Sequence, residues 1–134
     1  MKKILSILLV ILLANTAHAQ NGKIYFLRSD GFPPLAGPYT LFIDEGVVCR
    51  LANKRYSIHS VTPGDHVVSS QVLGKKPGKN VDRDKKQIEA GKTYYIQAFY
   101  KHGWFSNKLK TRELDEEAAK KLMANLKEEK NCRR

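Results

Sequence analysis

His59 and His66 stand seven positions apart, with Ser60, Thr62-Pro63-Gly64 and Asp65 between them. If Thr62-Pro63 centres a two-residue turn, positions 59 and 66 face each other across a hairpin, and a facing imidazole pair is the start of a metal site. A tetrahedral site needs further ligands, and Asp65 points to the opposite face of its strand, so no metal is expected. Ser60 and Asp65 supply residue types of a nucleophilic triad without its geometry. Asp44 and Glu45 are neighbours in a turn, which splays their carboxylates instead of pairing them for acid–base work. No G-x-S-x-G elbow, phosphate-binding loop, dinucleotide fingerprint, Cys-x-x-Cys or His-Glu-x-x-His spacing occurs. The expectation is a non-enzymatic protein with no catalytic, cofactor-binding or metal residue and no cofactor.

The chain has two cysteines, Cys49 and Cys132. Cys49 alternates with Val47 and Leu51, a pattern that points it into a core. In an oxidising compartment the pair can close, and a loop of about 80 residues then contributes roughly 4 kcal/mol in the chain-entropy model. The alternative is a buried free thiol with a second thiol in the C-terminal tail. Both stay open until the Cα separation is known.

That compartment is suggested by the first nineteen residues. Lys2-Lys3 form a basic start, Ile4 to Leu13 an apolar run, and Ala17-His18-Ala19 an A-x-A cleavage site. The run is shorter than the roughly 20 residues that cross a bilayer, so no transmembrane segment is expected after cleavage. The mature chain is expected to start at Gln20 and to be periplasmic or secreted. The full chain carries 24 Lys and Arg against 13 Asp and Glu, a formal net charge of +11, and losing Lys2 and Lys3 leaves +9. Such a charge favours an acidic envelope protein or an anionic lipid or glycan surface as partner. Export argues against nucleic acid as the partner in the cell.

The elements read as short strands. Lys23 to Arg28 is the first, and Ser29 to Pro38 is a Gly- and Pro-rich loop in which Phe32 and Leu35 either cap the core or form a lip. Tyr39 to Val72 then reads as a β-meander, with turns at Asp44-Glu45-Gly46, Ala52 to Lys54 and Thr62-Pro63-Gly64, and with Gly46 supplying positive φ. Gly74 to Lys86 reads as a solvated loop. Lys92 to Lys101 alternates Tyr94, Ile96 and Ala98 against Tyr95, Gln97 and Phe99, the pattern of a central strand. Leu114 to Glu129 is predicted as a helix, with Asp115 as N-cap, Glu116 and Glu117 in its first turn, Lys127 and Lys130 at its far end, and a stripe of Leu114, Ala118, Ala119, Leu122, Met123 and Leu126 packing on the sheet.

The succession Ile24-Tyr25-Phe26-x-Arg28, the Asp-Glu-Gly turn, Thr62-Pro63-Gly64-Asp65-His66 leading into Val67-Val68, and Ala90-Gly91-Lys92-Thr93-Tyr94-Tyr95-Ile96 resembles the DUF2846 family of exported bacterial proteins. The likeness runs from about Lys23 to Tyr100. It implies a mainly β protein, an antiparallel β-sandwich of prealbumin-like or carboxypeptidase-regulatory-like type with about seven strands and one C-terminal helix. The expected organisation is a cleaved segment 1–19, a sandwich over 20–110, and a helix and tail over 111–134. The matching motifs are turn and core residues, so the resemblance implies no residue's role. Many relatives are lipid-anchored, whereas this chain lacks a cysteine after the cleavage site.

Two surfaces are candidates for binding. The stretch Lys101 to Lys110 sets Trp104 and Phe105 at a Gly-hinged turn among Lys101, Lys108 and Lys110, the composition of a contact hot spot. There Trp104 either folds back on the sandwich or stands exposed. Lys75, Lys76, Lys79, Arg83, Lys85 and Lys86 form the second, a solvated run or an anion-binding patch. The expected function is exported, non-enzymatic binding through the first surface, with anionic membrane or glycan binding through the second as the alternative and a small hydrolase as a less favoured one.

Overall fold

A computed structural model of the chain describes residues 20–29, 37–104 and 107–134. The proposed leader over 1–19, Phe32, Leu35 and Phe105 lie outside them. Nine strands follow in order: β1 Gly22–Arg28, β2 Tyr39–Ile43, β3 Gly46–Leu51, β4 Arg55–Val61, β5 Gly64–Val72, β6 Arg83–Ile88, β7 Thr93–His102, β8 Asn107–Leu114 and β9 Lys127–Glu128. Among the described residues one helix, α1 Glu116–Met123, sits between the last two. The strands stack as a β-sandwich, a five-stranded sheet β8-β7-β1-β4-β9 against a four-stranded sheet β3-β2-β5-β6.

Alternation along the strands builds the core. Ile24 and Phe26 of β1, Tyr39 and Leu41 of β2, Cys49 and Leu51 of β3, Val61 of β4, Val68 of β5, Ile88 of β6, and Tyr94, Ile96 and Ala98 of β7 form one buried cluster. Each large apolar side chain buried this way contributes roughly 1.5–3 kcal/mol. As its pattern predicts, β7 is internal, pairing with β8 on one side and with β1 on the other.

The meander is corrected. Only β2 and β3 form a hairpin within it, closed by Asp44 and Glu45, which take φ of 50° and 65°. Positive φ therefore falls on these two residues and not on Gly46, as the two-residue primed turn of a twisted hairpin requires. The Asp44 carboxylate repays the strain by accepting from the Val67 amide at 2.9 Å. The turns after β3 and β4 each carry the chain to the opposite sheet, so β4 pairs with β1 and β5 with β2. A flat meander would have left the inner face of each strand without a facing layer; alternation between sheets buries both.

The helix is shorter than its stripe. Asp115 does cap it, its Oδ1 accepting from the Ala118 amide at 2.7 Å. Leu114 lies in β8, Ala118 is exposed, and Ala119 is the stripe's fully buried residue. The chain leaves the helix after Met123 because the edge of β4 offers better partners: the Lys127 amide donates to Lys54 O at 3.1 Å and the Glu129 amide to Tyr56 O at 2.7 Å. Lys127 thus caps a sheet edge and not a helix end. The strand β8 likewise runs through the 110/111 position where the sandwich was expected to stop.

Each lateral edge of the sandwich is closed. On one side Lys86 Nζ meets Glu113 at 3.1 Å, Lys110 Nζ meets Asp82 at 2.9 Å, and Thr111 Oγ1 donates to Asp84 at 3.3 Å, a polar ladder joining β6 and its approach to β8. On the other, the tail beyond β9 crosses to β3, where Arg133 O accepts from the Arg50 amide at 3.1 Å. The Cys49–Cys132 disulfide completes this seam, with Cα atoms 4.7 Å apart, and removes the alternative of two free thiols.

Candidate functional site

Strands β7 and β8 pair from Tyr95↔Leu114 out to His102↔Asn107, so the stretch sequence analysis placed in a turn is the far end of a long hairpin. At its tip Trp104 is 95 % exposed, which excludes its folding back on the sandwich. Just below, Lys101 and Lys108 sit directly opposite each other. Like charges so placed are destabilising by a few tenths to about 1 kcal/mol. Neither has an ion-pair partner among the described residues. Lys101, Gly103, Lys108 and Lys110 line a small cleft of about 210 Å³. Lys110 faces Asp82, so part of its charge is already answered. The hairpin tip thus joins a bare indole to a cationic hollow.

The second basic surface is divided by β6. Arg83 donates through Nε to Glu45 at 3.0 Å, and Lys86 bridges Asp84 and Glu113 at 3.6 and 3.1 Å. These two cations belong to the fold's own charge ladder. Lys75, Lys76, Lys79 and Lys85 remain exposed without ion pairs among the described residues, spread along a loop and a strand edge.

His59 and His66 do not face each other across a hairpin, because β4 and β5 lie in different sheets. His66 instead presents Nδ1 to the Asp44 carboxylate at 2.6 Å and Nε2 to the Thr62 carbonyl at 2.7 Å. The carboxylate and the carbonyl both accept, which favours the charged imidazolium with two donating ring nitrogens; the Thr62 hydroxyl also stands 3.5 Å from Nε2. The Asp44 hydrogen bond raises the pKa of His66 above 6.5 against the opposing effect of burial. For Asp44, burial pushes upward, but the Val67 amide and His66 bring its pKa net below 3.8. Stability from His66 is therefore present below pH 6.5 and lost as pH rises through its raised value, while that from Asp44 is present above pH 3.8 and lost as pH falls through its lowered value. Urea midpoints should peak between those limits, and His66→Gln should flatten the alkaline fall. The Asp44 side chain is 52 % exposed, so the amplitude should stay below about 1 kcal/mol.

His59 lies on the inner face of β4 and meets the disulfide. One of its ring nitrogens and the sulfurs of Cys49 and Cys132 lie within 4.8 Å of one another. Its Nε2 is 2.9 Å from Ser57 Oγ, and its ring stands edge-on to Phe26 with centroids 5.7 Å apart. Burial, with the nearby Arg134 charge, lowers its pKa below 6.5 and favours the neutral ring. A cleft of about 650 Å³, lined in part by His59, Cys132, Glu128 and Arg134, opens beside it. Sequence reasoning paired His59 with the wrong partner because register across a turn does not reveal which sheet the chain enters next.

Taken together, the described residues define a mainly β, two-sheet sandwich with both lateral edges closed and a cationic hairpin tip. Compared with family models, curated proteins and solved structures, the chain matches none. Among the described residues no helix is long and apolar enough to cross a membrane.

Proposed function

We propose that this chain is an exported, non-enzymatic binding domain of the bacterial envelope, of DUF2846 type, that docks an acidic protein surface through the β7–β8 tip. The observation that carries this reading is an almost fully exposed indole above two directly opposed lysines. Both features are unfavourable in the free protein, and an apolar contact rimmed by carboxylates relieves both. The β7–β8 hairpin presents Trp104 as the anchor, and Lys101, Lys108 and Lys110 steer the partner towards it.

The test is mild cross-linking of the tagged mature chain in its native envelope, followed by mass spectrometry of what co-purifies. A reproducible partner is expected, and Trp104→Ala should weaken its binding by roughly 30-fold, the effect of about 2 kcal/mol at a hot spot. Because Trp104 is the chain's only tryptophan, its emission should shift to the blue on binding. Undiminished recovery by the Trp104→Ala/Lys101→Ser/Lys108→Ser variant overturns the proposal. Binding to anionic vesicles that falls steeply with salt and depends on Lys75, Lys76 and Lys79 would favour the lysine loop instead.

A further inference from the structure

The Cys49–Cys132 seam has a neighbour that a purely structural staple does not use. A ring nitrogen of His59, on a strand of the opposite sheet, lies within 4.8 Å of both sulfurs, so three ligand atoms of the right chemical kind gather from β3, β4 and the tail. We propose that, once a dithiol reduces the Cys49–Cys132 bond, the two thiolates and the His59 imidazole bind one zinc ion at this seam.

The chemistry balances in two steps. A dithiol passes two electrons and two protons to the sulfurs, becoming a disulfide itself while Cys49 and Cys132 become thiols. Zinc then displaces both thiol protons, and the paired thiolate charges neutralise the cation. Two thiolates and an imidazole are a donor set that zinc favours over harder divalent cations such as magnesium and calcium. At about 2.3 Å from a tetrahedral zinc the sulfurs stand roughly 3.7 Å apart, a modest opening of the present seam.

Three features prepare the site. Ser57 Oγ and the Phe26 edge hold the His59 ring, as supporting contacts do for metal-bound imidazoles. Cys49 is fully buried on β3, a fixed ligand, whereas Cys132 is partly exposed on the tail and can adjust. The adjoining cleft gives water access to a fourth coordination position. Arg134 lines the same cleft and opposes a cation, but Glu128 and Glu129 line it too. The seam would then pass from a covalent to a metal clip without releasing the tail.

The experiment titrates the full mature chain with Co²⁺ and then Zn²⁺ under argon, oxidised and after reduction with a phosphine, which offers zinc no thiolate. One Co²⁺ per reduced chain, with a thiolate-to-cobalt charge-transfer band that Zn²⁺ abolishes, is expected; the oxidised chain should show none. His59→Ala should weaken Zn²⁺ binding by more than tenfold. Should that variant not fold, the His59 ring resonances of the wild type supply the same readout, shifting on Zn²⁺ addition while those of His66 and His102 stay. Failure of the reduced chain to bind, equal binding by the oxidised chain, or unmoved His59 resonances each overturns the proposal.

Discussion

Reducing the Cys49–Cys132 bond in metal-free buffer is expected to lower stability by about 4.5 kcal/mol, because in the chain-entropy model the bond removes the freedom of a long unfolded loop. The two cysteines are 83 positions apart, with β4 to β9 and the helix inside the loop they close. Domains of this size have about 5–15 kcal/mol in total, so the reduced protein should stay folded but with a markedly lower urea midpoint. The slope of the transition should rise as well, since an uncrosslinked denatured chain exposes more surface. Hydrogen exchange should place the loosening. The Arg50, Lys127 and Glu129 amides, which carry the tail's backbone bonds, should lose protection before the amides of β1 and β7 do. An unchanged midpoint would mean that β9 and the Arg133 contact alone hold the tail. Recovery of the midpoint on adding Zn²⁺, absent in His59→Ala, would link this loss to the proposed metal clip.

Local pattern was enough for most strands. β3, β4 and much of β1 and β7 announce themselves by alternation, β2 by an apolar run that is buried on both faces, and Asp115 by its place before a helical stripe. The inward pointing of Cys49 followed from the same alternation. Pattern failed where the decision depended on what lay across space. The segment Gly74 to Lys86 looked like one polar loop because its end, Arg83-Asp84-Lys85-Lys86, is charged on both faces, yet from Arg83 onward it pairs with β5, with Lys85 exposed and Lys86 turned towards Asp84 and Glu113. The helical stripe past Met123 gave way to a free sheet edge, a gain that no propensity in the segment encodes. Turns at Lys54 and Thr62-Pro63 were legible as turns, but not as crossings between sheets.

The candidate sites divide in the same way. Trp104 and its lysines were visible as a composition, and the structure adds that the indole stands free and that Lys101 opposes Lys108. The lysine run lost two members, Arg83 and Lys86, to ion pairs that tie β6 to its surroundings. The convergence of His59 with both cysteines had no signal in the sequence, since its three residues come from β3, β4 and the tail.

Arg28 was readable as the polar end of the first strand and as part of the Ile24-Tyr25-Phe26-x-Arg28 succession, not as a tie between sheets, and replacing it should have the second largest effect. Its side chain is buried, 2 % exposed, with Nη1 donating at 3.0 Å to both Gly37 O and Leu51 O and the guanidinium 3.6 Å from the centre of the Tyr39 ring. A β1 residue of one sheet thereby holds the entry to β2 and the end of β3 in the other. Arg28→Ala should cost about 3 kcal/mol or more, because it leaves two carbonyls without this donor and removes a desolvated cation–π contact. Arg28→Lys keeps the charge but lacks the planar fork, and should still lose about 2 kcal/mol. Arg28→Met separates the causes. It preserves stem volume and abolishes the charge, so a midpoint near that of Arg28→Ala assigns the effect to the guanidinium's bonds, whereas a midpoint near wild type assigns it to packing. Urea unfolding of the three variants decides the matter, and an Arg28→Ala midpoint equal to that of the wild type would show that the two sheets are held together at this end without the arginine.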